Sequence, residues 1–426
     1  MLCGAISLQA RQEERVFKLN DLFCLADSNN ITIRSAEKSS QVADAAVKVS
    51  KNGLLPDIDF MASATYNGDA WMSDRDFGNG MNLDSPHFGN SFAIEVSQVI
   101  YAGGAIKNSI QSAGLQVQLA HLDVASQRQK VRFLITGYYL DLYKSRNMLQ
   151  VYDKNIERIR NVIKDMQARE AQGIALNNDI TRYEVQLQNL LYKRTELTSR
   201  IDVLNNQLVT TLNLPQQTCI MPDTTLLQLS VHISSEDELQ ALANEHSPTL
   251  KAGRTNIDLS GHKEKIARSG MLPKIKLIAG DHLQGPITVE LPPIDKNLNT
   301  WYVGVGLSFN IGNLYKSKRD VTLSRLSTSV AKSRYEESLE HIDLELHQAY
   351  VNYVNAFELL NTQKKSLQLA TENYTVTEKR YNNDLVLLID LLDADNIRLD
   401  AEIQYENARI NIIYNYYRLL YITGTI

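Results

Sequence analysis

The sequence is poor in the residues that interrupt or cross-link a protein chain. It has nine prolines and three cysteines among 426 residues, and no Cys-x-x-Cys pair. The scarcity of proline predicts long uninterrupted elements, and the cysteine pattern excludes a zinc ribbon or a disulfide-rich scaffold. Lysine and arginine number 44 against 49 aspartates and glutamates, so no basic excess points to nucleic acid as a partner.

Long apolar runs and catalytic motifs are also missing. No window approaches the roughly 18 to 20 uncharged apolar residues of a membrane-spanning helix, whereas amphipathic transmembrane strands are not excluded. The eight histidines include no His-x-x-x-His, and Gly103 and Gly104 lack the spacing of a dinucleotide-binding loop. No nucleophile elbow is present. The sequence therefore predicts no enzyme, no cofactor and no metal site.

The first residues are typical of an exported protein. Residues 2–10 are small and apolar, and a charged segment follows, as at the end of a secretory signal cleaved after Ala10. Nothing basic precedes Leu2, so the signal looks truncated and we expect the true start upstream. In an exported protein Cys24 and Cys219 could form a disulfide, but two buried free thiols are favoured.

The chain contains an internal duplication. An offset of 211 relates Tyr139 to Tyr350 and Asp179 to Asp390, and it holds over more than a hundred residues. Further upstream the offset is 217, and the six additional residues of the first half fall in segment 68–89. Each half therefore reads helix, strand, polar loop, strand, long helix, break and long helix.

Four segments follow from this layout. They are a truncated signal remnant at 1–10, a first repeat at 11–212, an inter-repeat segment at 213–247 and a second repeat at 248–426. The first repeat would hold strands at about 56–67 and 91–101 and long helices at about 104–172 and 174–212. The second would hold strands at about 273–281 and 301–311 and long helices at about 313–383 and 385–422.

Apolar residues in the long helices recur at alternating spacings of four and three. In the first helix this seam comprises Val131, Ile135, Tyr138, Leu142, Ser145, Leu149, Tyr152, Ile156, Ile159, Ile163 and Met166. Such a heptad seam is typical of a coiled coil.

The four strand candidates instead alternate with a period of two. One face of the first strand carries Ile58, Phe60, Ala62, Ala64 and Tyr66; later strands repeat the pattern in Phe92, Ile94, Val96 and Ile100, and in Trp301, Val303, Val305, Leu307, Phe309 and Ile311. Segments of about ten residues suit tilted strands that cross a bilayer, and the alternative is a half-buried soluble sheet. Trp71 and Trp301 fall at strand ends, where an aromatic girdle or ordinary packing would place them. The polar segments 69–88 and 282–300 would be external loops.

These features together resemble the TolC-like outer-membrane efflux protein family. The resemblance rests on the duplicated layout, on Leu54-Leu55-Pro56 and Met271-Leu272-Pro273 before the strands, and on the turn Ile100-Tyr101-Ala102-Gly103-Gly104. Its most specific part is Ile389-Asp390-Leu391-Leu392-Asp393-Ala394, which is similar to the family's hydrophobic-Asp-x-Leu-Asp-Ala signature. It covers nearly the whole chain.

The resemblance implies a mainly α fold with a small β part. Duplicated halves of long coiled-coil helices would form a periplasmic tunnel, and each of three protomers would give four strands to a shared transmembrane β-barrel. The implied function is a passive export conduit in the cell outer membrane, with a large periplasmic portion. Its implied partners are two further copies, a periplasmic adaptor, an inner-membrane RND or ABC transporter and outer-membrane lipid.

The resemblance also assigns candidate residues. Asp390 and Asp393 would form acidic rings at the pore constriction, and the iris-like movement of the inner helices would open it. Read from the residues alone, these aspartates would stabilise the positive end of a helix that begins near Leu385. Tyr381 matches a residue of the closed-state link, whereas Val386 occupies the place of a linking arginine, so this chain departs from the family's latch.

A second reading, from another class, is a soluble periplasmic coiled-coil adaptor or scaffold protein whose short sheet docks a partner. The duplication discriminates between the two. An adaptor is expected to carry one helical hairpin flanked by small β domains, whereas here two complete strand and helix halves recur.

Overall fold

The computed structural model describes residues 13–173, 176–223, 235–287, 290, 293–383 and 385–426. The predicted signal remnant at 1–10 lies outside the described residues. The chain divides into two compact units, a helical unit (residues up to Ser39, His121–Lys251 and Glu336–Ile426) and a sheet unit (Ser40–Ala120 and Ala252–Tyr335). Each unit takes residues from both predicted repeats, so the division in space cuts across the duplication in sequence.

Long helices dominate the chain. The helices are α1 (Leu19–Asn29), α2 (Ile31–Lys51), α3 (Ala105–Glu170), α4 (Asn177–Thr211), α5 (Glu236–His246), α6 (Pro248–Ser269), α7 (Asn313–Asn382) and α8 (Leu388–Thr423). The α3 and α7 helices have 66 and 70 residues and carry the heptad seams. The α8 helix starts at Leu388 and not near Leu385, because Leu387 is in an extended conformation.

Among the described residues the strands are shorter and form three sheets. They are β1 (Glu13–Phe17), β2 (Asp57–Tyr66), β3 (Ala70–Met72), β4 (Met81–Leu83), β5 (Phe88–Tyr101), β6 (Thr218–Pro222), β7 (Lys274–Gly285) and β8 (Leu298–Ser308). The predicted fourth strand is displaced, since it begins at Leu298 and ends at Ser308, leaving Phe309 and Ile311 outside it. The third runs four residues beyond its predicted end, to Gly285.

The duplication is visible in the element boundaries. The α4 and α8 helices begin at 177 and 388, which differ by 211, and β2 and β7 begin at 57 and 274, which differ by 217. These are the two offsets found in the sequence.

The sheet unit is built around one antiparallel sheet of four strands in the order β2-β5-β7-β8. Its central contact joins the two halves of the duplication, because β5 pairs with β7 along most of their length. The strands β2 and β8 lie at the edges, so each leaves one row of backbone groups unpaired within the sheet.

The register places the alternating apolar residues on one common face. Phe60 lies opposite Ile94, and Ala279 lies opposite Val303, so the apolar sets of neighbouring strands coincide. This face is uncovered: Phe60 is 67% exposed and Val305 71% exposed. The predicted alternation fails at Ile100, because a bulge between Val99 and Tyr101 turns Tyr101 toward the apolar face opposite Ile275.

The helical unit has a core that the heptad seams predict well. Val131, Ile135, Leu142 and Ser145 of α3 are buried, as are Leu197, Ile201 and Leu204 of α4. Of these residues, Val131, Ile135, Leu142, Ile201 and Leu204 pack with Leu22 of α1 and Ile413 of α8 in one hydrophobic cluster.

A small parallel sheet of β1 and β6 borders this core and was not predicted. The Tyr139 side chain is fully buried, and its hydroxyl donates to the carbonyl of Phe17 and accepts from the Asp223 N–H, both at 2.8 Å. Burial raises the pKa of Tyr139 to about 12, so the hydroxyl keeps its proton at neutral pH. One side chain thus fixes β1 and the end of β6 to α3.

Candidate functional site

The N-terminal end of α8 carries the signature aspartates. The Asp390 carboxylate accepts the backbone N–H of Leu387 at 3.0 Å, which satisfies a donor that the helix end would otherwise leave free. This is the capping arrangement that the residues alone favoured. This hydrogen bond occupies one oxygen of the Asp390 carboxylate and leaves the other oxygen available for a role in the pore.

The two aspartates share the exposed side of α8. Leu388, Leu391 and Asp395 follow one another at spacings of three and four and are buried, whereas Asp390 and Asp393 are exposed. Leu388 packs in a second hydrophobic cluster with residues of α3 and α4, which include Ile159 and Tyr183. Leu391 and Asp395 line a cavity together with the same two residues. The signature carboxylates therefore point away from α3.

A partly buried group of charges lies directly beside this end of α8. One oxygen of Asp395 is 3.0 Å from the guanidinium of Arg398 and 3.3 Å from that of Arg158 on α3. Arg398 also donates to the Asn155 side chain at 3.0 Å. The Asp395 side chain is only 12% exposed, so these contacts are poorly screened by water.

Tyr374 of α7 completes the group. The guanidiniums of Arg158 and Arg398 lie 5.3 and 4.9 Å from the centre of its ring, within the range of cation–π attraction. Its hydroxyl donates to Glu378 at 2.8 Å. Burial, followed by this hydrogen bond, raises the pKa of Tyr374 to about 12, and burial also raises the pKa of Tyr183.

Tyr381 of α7 also contacts α3. The guanidinium of Arg169 lies 5.8 Å from the centre of its ring. Both residues border a cavity of about 150 Å³ that Tyr183, Tyr374 and Asp395 also line. The contact therefore joins α3 and α7. The role of Tyr381 in a closed-state link stays a prediction.

Sequence reasoning missed the buried charges. The motifs and spacings of the sequence point to none of Asp395, Arg158 and Arg398 as site residues. The sequence did indicate that Asp395 and Arg398 lie on the buried side of α8. The spacing of three and four residues that buries apolar positions runs through Leu388, Leu391, Asp395 and Arg398. Charged residues at such positions are buried and need partners.

The two tryptophans occupy different settings. Trp301 lies in β8 and is 76% exposed on the apolar face. Trp71 lies outside the four-stranded sheet, in a hairpin of β3 and β4 within a segment predicted to be loop only. Its ring covers Gly80, where a Cβ atom would lie 2.7 Å from it.

Metal and thiol chemistry is not evident among the residues that the structure describes. No cluster of histidine, cysteine and acidic residues that could hold a metal ion occurs among the described residues. Cys24 and Cys219 are both free, as predicted. Their predicted burial is wrong, because Cys24 is exposed and Cys219 is only half-buried. Of the helices within the described ranges, none is long and apolar enough to cross a membrane.

Comparisons with known proteins match this architecture. A family model described as outer membrane efflux protein matches residues 22–212 and 239–425. The outer membrane efflux protein BepC of Brucella suis is 20% identical over 412 residues, covering 94% of this chain and 83% of BepC. The outer membrane protein TolC of Salmonella enteritidis is also 20% identical, covering 96% of this chain and 82% of TolC.

Solved structures show the same fold. The outer-membrane channel OprN superposes with a TM-score of 0.81 at 16% identity, covering 96% of this chain and 90% of OprN. The outer membrane protein VceC of Vibrio cholerae also gives 0.81, at 14% identity and with 95% and 96% covered.

The duplicated helices, the four-stranded sheet and these likenesses define an outer-membrane channel protein. The chain belongs to the outer membrane efflux protein family, whose model matches both halves of the duplication. It is a channel subunit for efflux, located in the cell outer membrane. The predicted family resemblance is thereby confirmed, and the alternative of a soluble adaptor or scaffold is not supported.

Proposed function

We propose that three copies of this chain close a barrel of twelve strands, four from each copy. The edges of β2 and β8 and the uncovered apolar face support this assembly. Unpaired strand edges are not tolerated in lipid, and pairing between copies would remove them. Trp301, with Trp71 of the adjoining hairpin, would supply the aromatic girdle at the bilayer surface.

The helical unit would form the tunnel, with its narrow point at the start of α8. Three copies of Asp390 and Asp393 would bring six carboxylates together in the closed pore. Such rings attract cations and repel anions. The single observation that carries this proposal is the exposure of both aspartates on one side of α8 while Leu388 and Leu391 are buried.

The pore would open by an iris-like movement of α7 and α8, with Tyr381 among the links that release. The conduit is passive in this proposal. A periplasmic adaptor would engage the helical unit, and an inner-membrane RND or ABC transporter would supply the energy, as in a tripartite efflux or type I secretion system.

Single-channel conductance in a planar bilayer tests the constriction. The detergent-purified protein is compared with the variant Asp390→Asn/Asp393→Asn. The matched control is Asp400→Asn, an exposed aspartate of α8 that lies seven residues beyond Asp393, on the same side and about 10 Å farther along the helix.

We expect a small, cation-selective conductance in the wild type and a severalfold loss of the cation-to-anion permeability ratio in the double variant. The control should retain most of the selectivity, because a wider part of the tunnel focuses the field less. Unchanged selectivity in the double variant would show that the two aspartates serve only to stabilise the start of α8. An absence of conductance from folded protein would refute the channel assembly.

A further inference from the structure

The direction in which Asp390 and Asp393 point is set by how α8 is rotated about its own axis. A helix turns about 100° per residue, so Asp393 lies about 160° around the axis from Asp395, and Asp390 lies about 140° from it. Both signature residues are therefore on the opposite side of α8 from Asp395. The contacts that fix the position of Asp395 therefore also fix the direction in which the Asp390 and Asp393 carboxylates point.

Asp395 is held by charges that belong to α3 and to its own helix. Arg158 reaches it from α3 at 3.3 Å and Arg398 from α8 at 3.0 Å. Both guanidiniums also lie against the ring of Tyr374, so a residue of α7 closes the group from a third direction. The contact thus ties α8 to the helix that precedes it and to one from the other half of the duplication.

Among the described residues, Asp395 is the closest carboxylate to each of the two arginines. The buried Nε atoms of Arg158 and Arg398 find no acceptor within the part of the chain that the structure describes. The next carboxylate, Glu402, is 3.9 Å from Arg398. Loss of the Asp395 charge would leave two partly buried cations side by side. Removing one partner of an ion pair that is shielded from water is destabilising.

We propose that Asp395, which forms ion pairs with Arg158 and Arg398, is a positioning residue. It sets the rotation of α8 about its axis and thereby orients the Asp390 and Asp393 carboxylates toward the pore. This inference rests on the proposed acidic constriction. In this inference the direction of the constriction carboxylates is set by the cluster around Asp395, about one turn further along α8. The cluster is distinct from the predicted link at Tyr381.

Asp395→Asn is the direct test, because it keeps the shape of the side chain and removes its charge. The control is again Asp400→Asn, which removes the same charge from an exposed position of the same helix. Arg158→Lys is a second variant: it keeps one positive charge but loses the planar guanidinium that pairs with Asp395 and stacks on Tyr374. Each assembled channel is measured for conductance, permeability ratio and thermal stability.

We expect Asp395→Asn to raise the closed-state conductance severalfold and to lower the cation-to-anion permeability ratio toward that of Asp390→Asn/Asp393→Asn. Arg158→Lys should change both in the same direction by less. A lowered thermal stability with unchanged selectivity would show a merely structural role and overturn the proposal. If Asp395→Asn does not assemble, selectivity of assembled Arg158→Lys equal to that of the wild type overturns it as well.

The experiments distinguish failure of the proposed acidic constriction from failure of the proposed positioning role of Asp395. A wild-type channel whose selectivity is insensitive to Asp390→Asn/Asp393→Asn refutes the acidic constriction, and with it the premise of this inference. A wild type that depends on those aspartates but not on Asp395 refutes the positioning role alone.

Discussion

Replacement of Tyr139 by phenylalanine tests how the small parallel sheet is held to the helices. The ring is fully buried, and its hydroxyl bonds both the Phe17 carbonyl and the Asp223 N–H at 2.8 Å. Tyr139→Phe preserves the packing of the ring and removes both hydrogen bonds. The carbonyl and the N–H lose this partner in a region where water does not readily replace it.

The expected cost follows from those two bonds. A hydrogen bond lost from a buried backbone group costs about 1 to 2 kcal/mol, so the opening of β1 and β6 should become easier by about 2 to 4 kcal/mol. At about 1.4 kcal/mol per factor of ten, this corresponds to a rise in the opening equilibrium of about 30- to 700-fold. Local opening of this kind is read by amide hydrogen exchange.

The assay is hydrogen exchange of the detergent-purified protein at neutral pH, followed in peptides that contain Glu13–Phe17 and Thr218–Pro222. The control is Tyr192→Phe, which removes a hydroxyl from a side chain that is 68% exposed. Exchange in Tyr139→Phe that is less than about threefold faster than in the control would refute the argument that this hydroxyl secures the sheet.

Two further predictions concern substitutions at Gly103 and Tyr374. Gly103 has a φ of +61°, and a Cβ there would lie 2.9 Å from the Leu272 side chain, so Gly103→Ala should cost about 2 kcal/mol or more. It should lower the yield of folded protein on unheated gels, whereas Gly114→Ala, with nothing within 4 Å of the new Cβ, should not; equal yields would contradict this. The pKa of Tyr374 is raised to about 12 by burial, against about 10 in an unfolded chain. Its contribution to stability should therefore be complete below about pH 10 and decline toward pH 12, as the unfolded chain ionises first. Tyr374→Phe should flatten the alkaline dependence of the unfolding midpoint over that range, and an unchanged dependence would contradict the assignment.

The pattern of the sequence was informative wherever structure depends on local periodicity. The heptad spacing placed α3, α4, α7 and α8 within a few residues of their observed bounds, and the period of two placed the strands of the four-stranded sheet. The signature around Asp390 and Asp393 was located through its order within a duplicated frame. Strand ends were less certain, because alternation continues through residues such as Phe309 and Ile311 that no neighbouring strand pairs.

Pairing between distant segments could not be read from those patterns. The parallel contact of β1 with β6 joins residues about two hundred positions apart. Phe17 of β1 and Asp223, directly after β6, are both bonded by Tyr139, which looks like any core aromatic residue in the sequence. The bulge after Val99 arises only from the alignment of β5 with β7.

The sequence by itself therefore determined the long helices, the four amphipathic strands and the duplicated order that together identify an efflux channel subunit. Only the tertiary structure decided that Asp395 is buried between Arg158 and Arg398 while Asp390 and Asp393 face outward. The physical reason is that a heptad repeat fixes which side of a helix is buried on average. The partner of a charge within that side is supplied by helices far away in the chain.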